Sequence, residues 1–220
     1  MIGPSSASAT GRLLEYRLSP ERLNPYRAAS GGGLDEALEL YEWNARVASA
    51  FALVIGHFEV ILRNALDQEL TAWHSVKKRP GRWYDDPNSL LAQHRRDDIA
   101  AARQRIMSRK KTERPGRVVA ELMFGFWRQL LEARYETILW AQALRRAFPH
   151  LRPQRRLDVA QPVGDIYTLR NRVAHHEPIH ALDLALRHQQ IMTVVSYIDP
   201  QLETWLRSKS EVLTVLAARP

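Results

Sequence analysis

Between Leu34 and Trp73 apolar side chains recur in steps of three, four and seven, and no strand-like alternation persists elsewhere for more than a few residues. Leu38, Tyr41, Ala45, Ala48, Ala52, Ile55, Leu62 and Leu66 fall on one side of a helix, so the spacing predicts one long helix with that side buried. Gly56 within it is a weak point or a place of close packing. The length exceeds that of an average helix and suggests the central element of a bundle. The expected class is therefore all-α, an antiparallel helical bundle.

The remaining elements are punctuated by proline, glycine and caps. Arg12 to Arg17 is a short helical turn, and Ser19-Pro20 is a cap followed by proline at the first helical position. Ser30-Gly31-Gly32-Gly33 reads as a flexible hinge. His74 to Pro87 is a basic connector, and a polar surface helix runs from about Ser89 to Lys110. Val118 to Leu131 is apolar and aromatic, and a helix follows over Glu132 to Ala147. A further helix starts near Arg155, is interrupted near Pro162 and continues to Glu177, with Pro178 ending it. Leu182 to Asp199, Pro200 to Leu206 and the tail from Lys209 supply the last helices. This divides the chain into a flexible N-terminal segment with short helices (1–33), a helical domain (34–208) and a tail or short helix (209–220).

The net charge is +8 and the isoelectric point about 10.1, with lysine only at positions 77, 78, 110, 111 and 209. Arginine thus carries most of the positive charge. Its planar fork matches phosphate, which points to nucleic acid, although a solvated arginine-rich surface fits as well. Cysteine is absent, which removes disulfides, thiolate nucleophiles and cysteine-type zinc sites. The N-terminus lacks a signal-peptide pattern, and the apolar run Phe51 to Leu62, broken by His57 and Glu59, reads as too short and too polar to span a bilayer. The expectation is a cytoplasmic protein without a membrane partner.

One segment carries pointed chemistry: Leu169-Arg170-Asn171-Arg172-Val173-Ala174-His175-His176-Glu177-Pro178. Pro178 puts both histidines in the last turn of a helix, where the partial negative charge favours an imidazolium. One histidine would then serve as general acid, its neighbour as base, and Arg170 would stabilise charge on a phosphorane. That set suits cleavage of RNA by its own 2′-hydroxyl, with no metal and no cofactor. Residues five apart on an ideal helix lie about 140° apart around the axis, so Arg170 and His175 are not on one face. A long reach, a helix distorted near Pro178 or a site shared between chains would resolve this. Arg170 and Glu177 share a face and could pair. The same residues also fit a simple helix cap.

Arg170-Asn171-x-x-x-His175 resembles the Arg-polar-x-x-x-His motif of the HEPN superfamily of helical ribonucleases. The wider string is similar to the signature of its Abi-like (abortive infection) proteins. So are Tyr41-Glu42-Trp43-Asn44, Glu59-Val60-Ile61-Leu62-Arg63-Asn64 and Phe124-Gly125-Phe126-Trp127, in that order. The resemblance covers about Leu38 to His180. It implies a HEPN-like bundle, often a homodimer whose facing motifs form a composite RNA site. It also implies a metal-independent RNA endonuclease that acts as a toxin or phage-defence effector, sometimes with a neutralising antitoxin. Arg170 and His175 take the catalytic positions and Asn171 the polar position, while the motif leaves the role of His176 open. Other superfamily members only bind, so a non-catalytic RNA- or nucleotide-binding module and a regulatory partner protein are the alternatives.

Glu59 and Arg63 are spaced to pair along the long helix, and with Asn64 they read as a brace supporting the histidine site. Lys77, Lys78, Arg79 and Arg82, next to Trp83 and Tyr84, mix charge with rings as a single-stranded RNA contact would, with Arg172 as a further contact. A solvated loop is the simpler reading of that run. Arg152, Arg155 and Arg156 form a second basic cluster. Phe124, Phe126, Trp127, Tyr41 and Trp43 read as core.

Overall fold

The computed structural model describes residues 8–78, 80–86 and 90–220. Every regular element among them is helical: α1 (Ala9–Leu18), α2 (Pro20–Ala29), α3 (Leu34–Val76), α4 (Gln93–Ser108), α5 (Pro115–Glu121), α6 (Phe124–Gln129), α7 (Leu157–Ala174), α8 (Leu184–Ile198), α9 (Pro200–Lys209) and α10 (Val212–Ala217). The protein is all-α, as the periodicity predicts.

Local chemistry sets the N-terminal boundaries. Ser8 Oγ accepts from Gly11 N at 2.9 Å and starts α1, and Ser19 Oγ accepts from Arg22 N at 3.4 Å ahead of Pro20 and starts α2. Gly31 and Gly32, with φ of 85° and 99°, occupy the left-handed region that breaks α2 from α3.

The chain divides into two compact units, each drawn from separate segments. The first comprises Met1–Val54, Leu169–His188 and Ser210–Pro220, the second Ile55–Thr168 and Gln189–Lys209. In the first unit Leu23, Tyr26, Trp43, Val47, Phe51, Leu169 and Ile179 are buried. Trp43 Nε1 donates to Val215 O at 2.8 Å, and the Arg219 guanidinium lies 5.1 Å from the Trp43 ring. His188 Nε2 lies 2.9 Å from Ser210 Oγ.

The second unit packs Phe58, Leu62, Leu66, Trp83 and Trp127. Phe124 meets Phe58 edge to face at 6.0 Å, and Trp83 lies 5.9 Å from Trp127. Phe124, Phe126 and Trp127 are buried, as expected of core.

Several boundaries and faces differ from expectation. In the first half of α3 the buried side is Leu40, Trp43, Val47, Phe51 and Val54, the larger apolar residues. Ala45 and Ala52 are exposed, and Tyr41 and Ala48 half-exposed, so that stretch of the predicted stripe is not core. A Cβ on Gly56 would meet nothing within 4 Å, so it is not a close-packing point. An 18-residue window of α3 reaches a mean hydropathy of 1.6 with 33% of it buried. By length and composition alone α3 could cross a membrane, which the shorter run Phe51 to Leu62 does not suggest.

The predicted helix over Glu132 to Ala147 is instead a 3-10 turn, Ala133–Tyr135, a π turn, Glu136–Trp140, and a second 3-10 turn, Leu144–Ala147. Tertiary bonds explain the irregular winding. Tyr135 Oη accepts from Ala92 N at 3.0 Å, and Arg156 Nη1 reaches Leu131 O at 2.7 Å. Pro162 does not interrupt α7, which runs through it at the loss of one main-chain bond. The polar helix α4 is not wholly at the surface. Arg95 is buried, paired to Asp98 at 2.7 Å and 5.8 Å from the Phe126 ring centre.

Candidate functional site

The last turn of α7 fixes the motif. His175 N donates to Asn171 O at 2.9 Å, continuing the helical pattern. Glu177 N then reaches back to Arg172 O at 2.8 Å and His176 N to Val173 O at 3.2 Å, the paired six-to-one and five-to-two bonds of a Schellman turn. His176 sits at its left-handed position, φ 55°. The helix thus ends at Ala174, three residues earlier than Pro178 suggests, because the turn and not the proline stops it. Glu177 lies beyond that turn, so it does not share a helical face with Arg170. His175 N still bonds Asn171 O as in an α-helix, and ideal helical spacing puts Arg170 and His175 about 140° apart around the axis.

Arg170, Asn171 and Arg172 are half-buried, and His175, His176 and Glu177 are exposed. Arg172 Nη1 donates to Pro178 O at 3.4 Å, so this predicted RNA contact also braces the turn. Two residues that sequence reasoning missed complete the brace. Arg22 Nη2 on α2 donates to His176 O. Asn44 on α3 accepts at Oδ1 from Ile179 N at 2.8 Å and His180 N at 3.1 Å. Asn44 falls within Tyr41-Glu42-Trp43-Asn44, the one signal that could have found it; nothing local marks Arg22.

Around this turn the first unit opens a groove of about 450 Å³. It is lined by Tyr41, Asn44, Ala45, Ala48 and Ala52 of α3, by His176 and Glu177 after α7, and by Arg22 of α2. Tyr41 is therefore a groove residue, not core. Its ring meets Tyr26 edge to face at 5.3 Å, and Tyr26 lies 4.9 Å from the His180 ring. Burial pushes the Tyr26 phenol up and the His180 imidazole down, with Arg219 adding to the second effect.

The other predicted residues belong to the second unit. Glu59 and Arg63 are half-buried and Asn64 exposed, and Arg63 Nε donates to Asn64 Oδ1 at 3.3 Å. Lys77, Lys78 and Arg82 are exposed, while Arg79 lies outside the described residues. Trp83 and Tyr84 are buried, and Trp83 Nε1 donates to Asp67 Oδ1 at 2.7 Å, so neither ring is a stacking platform for bases. Arg156 is buried against Glu136 at 3.1 Å, which removes it from the second basic cluster. Among the described residues no group of three or more His, Asp or Glu is arranged to hold a metal ion.

No family model, curated protein or solved structure matches this chain.

Proposed function

We propose that the protein is a metal-independent RNA endonuclease, an Abi-like member of the HEPN superfamily that acts in the cytoplasm as a toxin or phage-defence effector. The observation that carries this reading is the rigid turn at the end of α7. It holds the main chain of both histidines by hydrogen bonds and sets His176 at the edge of a groove large enough for a nucleotide. An accidental pair of histidines on a frayed helix end has no such framing.

The chemistry follows from the side chains. A neutral imidazole takes the 2′-hydroxyl proton, and the 2′-oxygen forms a bond to the adjacent phosphorus. The bond to the 5′-oxygen breaks, and an imidazolium protonates that leaving oxygen. Arg170 offers its guanidinium to the phosphorane, and Asn171 steadies the pair. The products are a 2′,3′-cyclic phosphate and a free 5′-hydroxyl. The five-residue spacing of Arg170 and His175, about 140° on an ideal helix, favours a composite site in a homodimer of HEPN-like bundles, each copy supplying part of the acid–base set.

End-labelled RNA of mixed sequence, incubated in EDTA, tests the proposal. Cleavage to cyclic-phosphate ends by the wild type, lost in Arg170→Ala and His175→Ala, is the expected result. Restored cleavage on mixing the two variants would establish the shared site. No cleavage by any folded form would leave a binding module in its place.

A further inference from the structure

The groove beside His176 holds chemistry that cleavage does not use. Asn44 is 5% exposed, and two main-chain N–H groups converge on its Oδ1. Two donors on one atom identify it as the oxygen and fix the direction of the amide. The Nδ2 end, with two N–H groups, meets no acceptor among the described residues, and the side chain lines the groove.

Glu177, an exposed residue, lines the same groove, and its main-chain N–H is held by Arg172 O at 2.8 Å. Two residues along, Ile179 is clamped by Asn44, a chain span of at most about 7 Å. An N–H donor of fixed direction and an acceptor-only carboxylate therefore belong to one groove, together with Ala45, Ala48 and Ala52. The Glu177 carboxylate repels a phosphate, while the Arg22 guanidinium in the same lining donates to His176 O, so the groove beside Glu177 suits a base better than the RNA backbone.

Resting on the reading of the groove as an RNA site, we propose that it is a base pocket selective for guanine. A carboxylate accepts two side-by-side hydrogen bonds. Guanine alone among the standard RNA bases offers two adjacent N–H groups, at N1 and N2, on its pairing edge. O6 beside them is an acceptor for Asn44 Nδ2. Adenine and cytosine each offer a single amino group next to an acceptor nitrogen. Uracil offers one N–H between two carbonyls, which a carboxylate repels. Tyr41 and the three alanines supply the apolar faces against which an unstacked base rests.

The test is calorimetric titration of the full chain with GMP, AMP, CMP and UMP. GMP is expected to bind at least about tenfold tighter than the other three. Glu177→Gln should abolish that preference, since an amide cannot accept both hydrogen bonds. Ala45→Leu should weaken GMP by filling the groove, and unchanged melting temperatures show that both variants fold. Equal binding of all four, or no binding, overturns the proposal. Selective GMP binding without RNA cleavage would sink the ribonuclease reading and keep the pocket. Cleavage with no bias toward guanine and no GMP binding would do the reverse.

Discussion

The two units differ in what several of their arginines hold. In the second unit cations are spent on structure: Arg103 pairs with Asp85 and, at 3.1 Å, with Glu113, Arg105 with Glu121 at 3.2 Å, and Arg156 with Glu136 at 3.1 Å. Its aromatic residues Trp83, Phe124, Phe126 and Trp127 are buried. In the first unit Arg22 and Arg172 bond to main-chain oxygens of the turn after α7, and Tyr41 faces a groove. Part of the positive charge behind the net +8 is thus paired within the fold. These second-unit arginines join helices and turns, while in the first unit Arg22 and Arg172 hold one turn and Arg27 pairs with Glu15 at 2.5 Å.

The largest expected effects lie in the first unit. Arg170→Ala and His175→Ala should each lower RNA cleavage by about 10²- to 10⁴-fold, the usual worth of a positioned acid, base or charge stabiliser. Both side chains are at least partly exposed, so melting temperatures should barely move. A large loss of stability in either variant would make the motif structural and erase the contrast between the units.

Trp83→Ala breaks the comparison from the other side. Trp83 is buried, packs on Trp127 and donates to Asp67, whose carboxyl is pushed up by burial and pulled back by that bond. Losing the ring should cost about 3–5 kcal/mol of stability in a urea titration. Cleavage per folded molecule should hold. Normal stability with weakened RNA binding would instead make Trp83 a stacking residue. Asn44→Ala should cost about 1–3 kcal/mol, because it strands the buried N–H groups of Ile179 and His180. Cleavage should fall as well, and hydrogen exchange at those two amides should accelerate, since the turn loses its anchor.

What the sequence reveals depends on range. The start of α3 at Leu34, the Ser19 cap and the helical character of the whole follow from spacing and capping chemistry, which act over a few residues. The buried side of α3 is harder. Ala45, Ala48 and Ala52 fit an apolar stripe, but alanine gains little from burial, and the bulk of Trp43, Val47 and Phe51 decides which side turns inward. The motif from Arg170 to His175 is legible as an ordered string. Its supports are not, because Arg22 lies 154 residues from His176 and Asn44 lies 135 from Ile179. The irregular turns between Ala133 and Ala147 fail for the same reason: contacts with Ala92 and Arg156 override local propensity.

His176 gives the smallest effect and the sharpest reading of the first unit. A left-handed residue after a helix is usually glycine, and a side chain there costs about 1–2 kcal/mol. His176→Gly should relieve that strain, offset in part by the freedom glycine gains in the unfolded chain, for a net gain of about 1 kcal/mol or less. Thermal melting and the RNA assay, run together, separate two roles. If the imidazole only fills a cap position, stability rises and cleavage is unchanged. If it takes part in proton transfer or holds the substrate in the groove, stability rises while cleavage falls. Backbone strain retained at a position that glycine would occupy without it is the pattern of a residue kept for its side chain. The second outcome is therefore expected, and it would put His176 beside Arg170 and His175 in the working site.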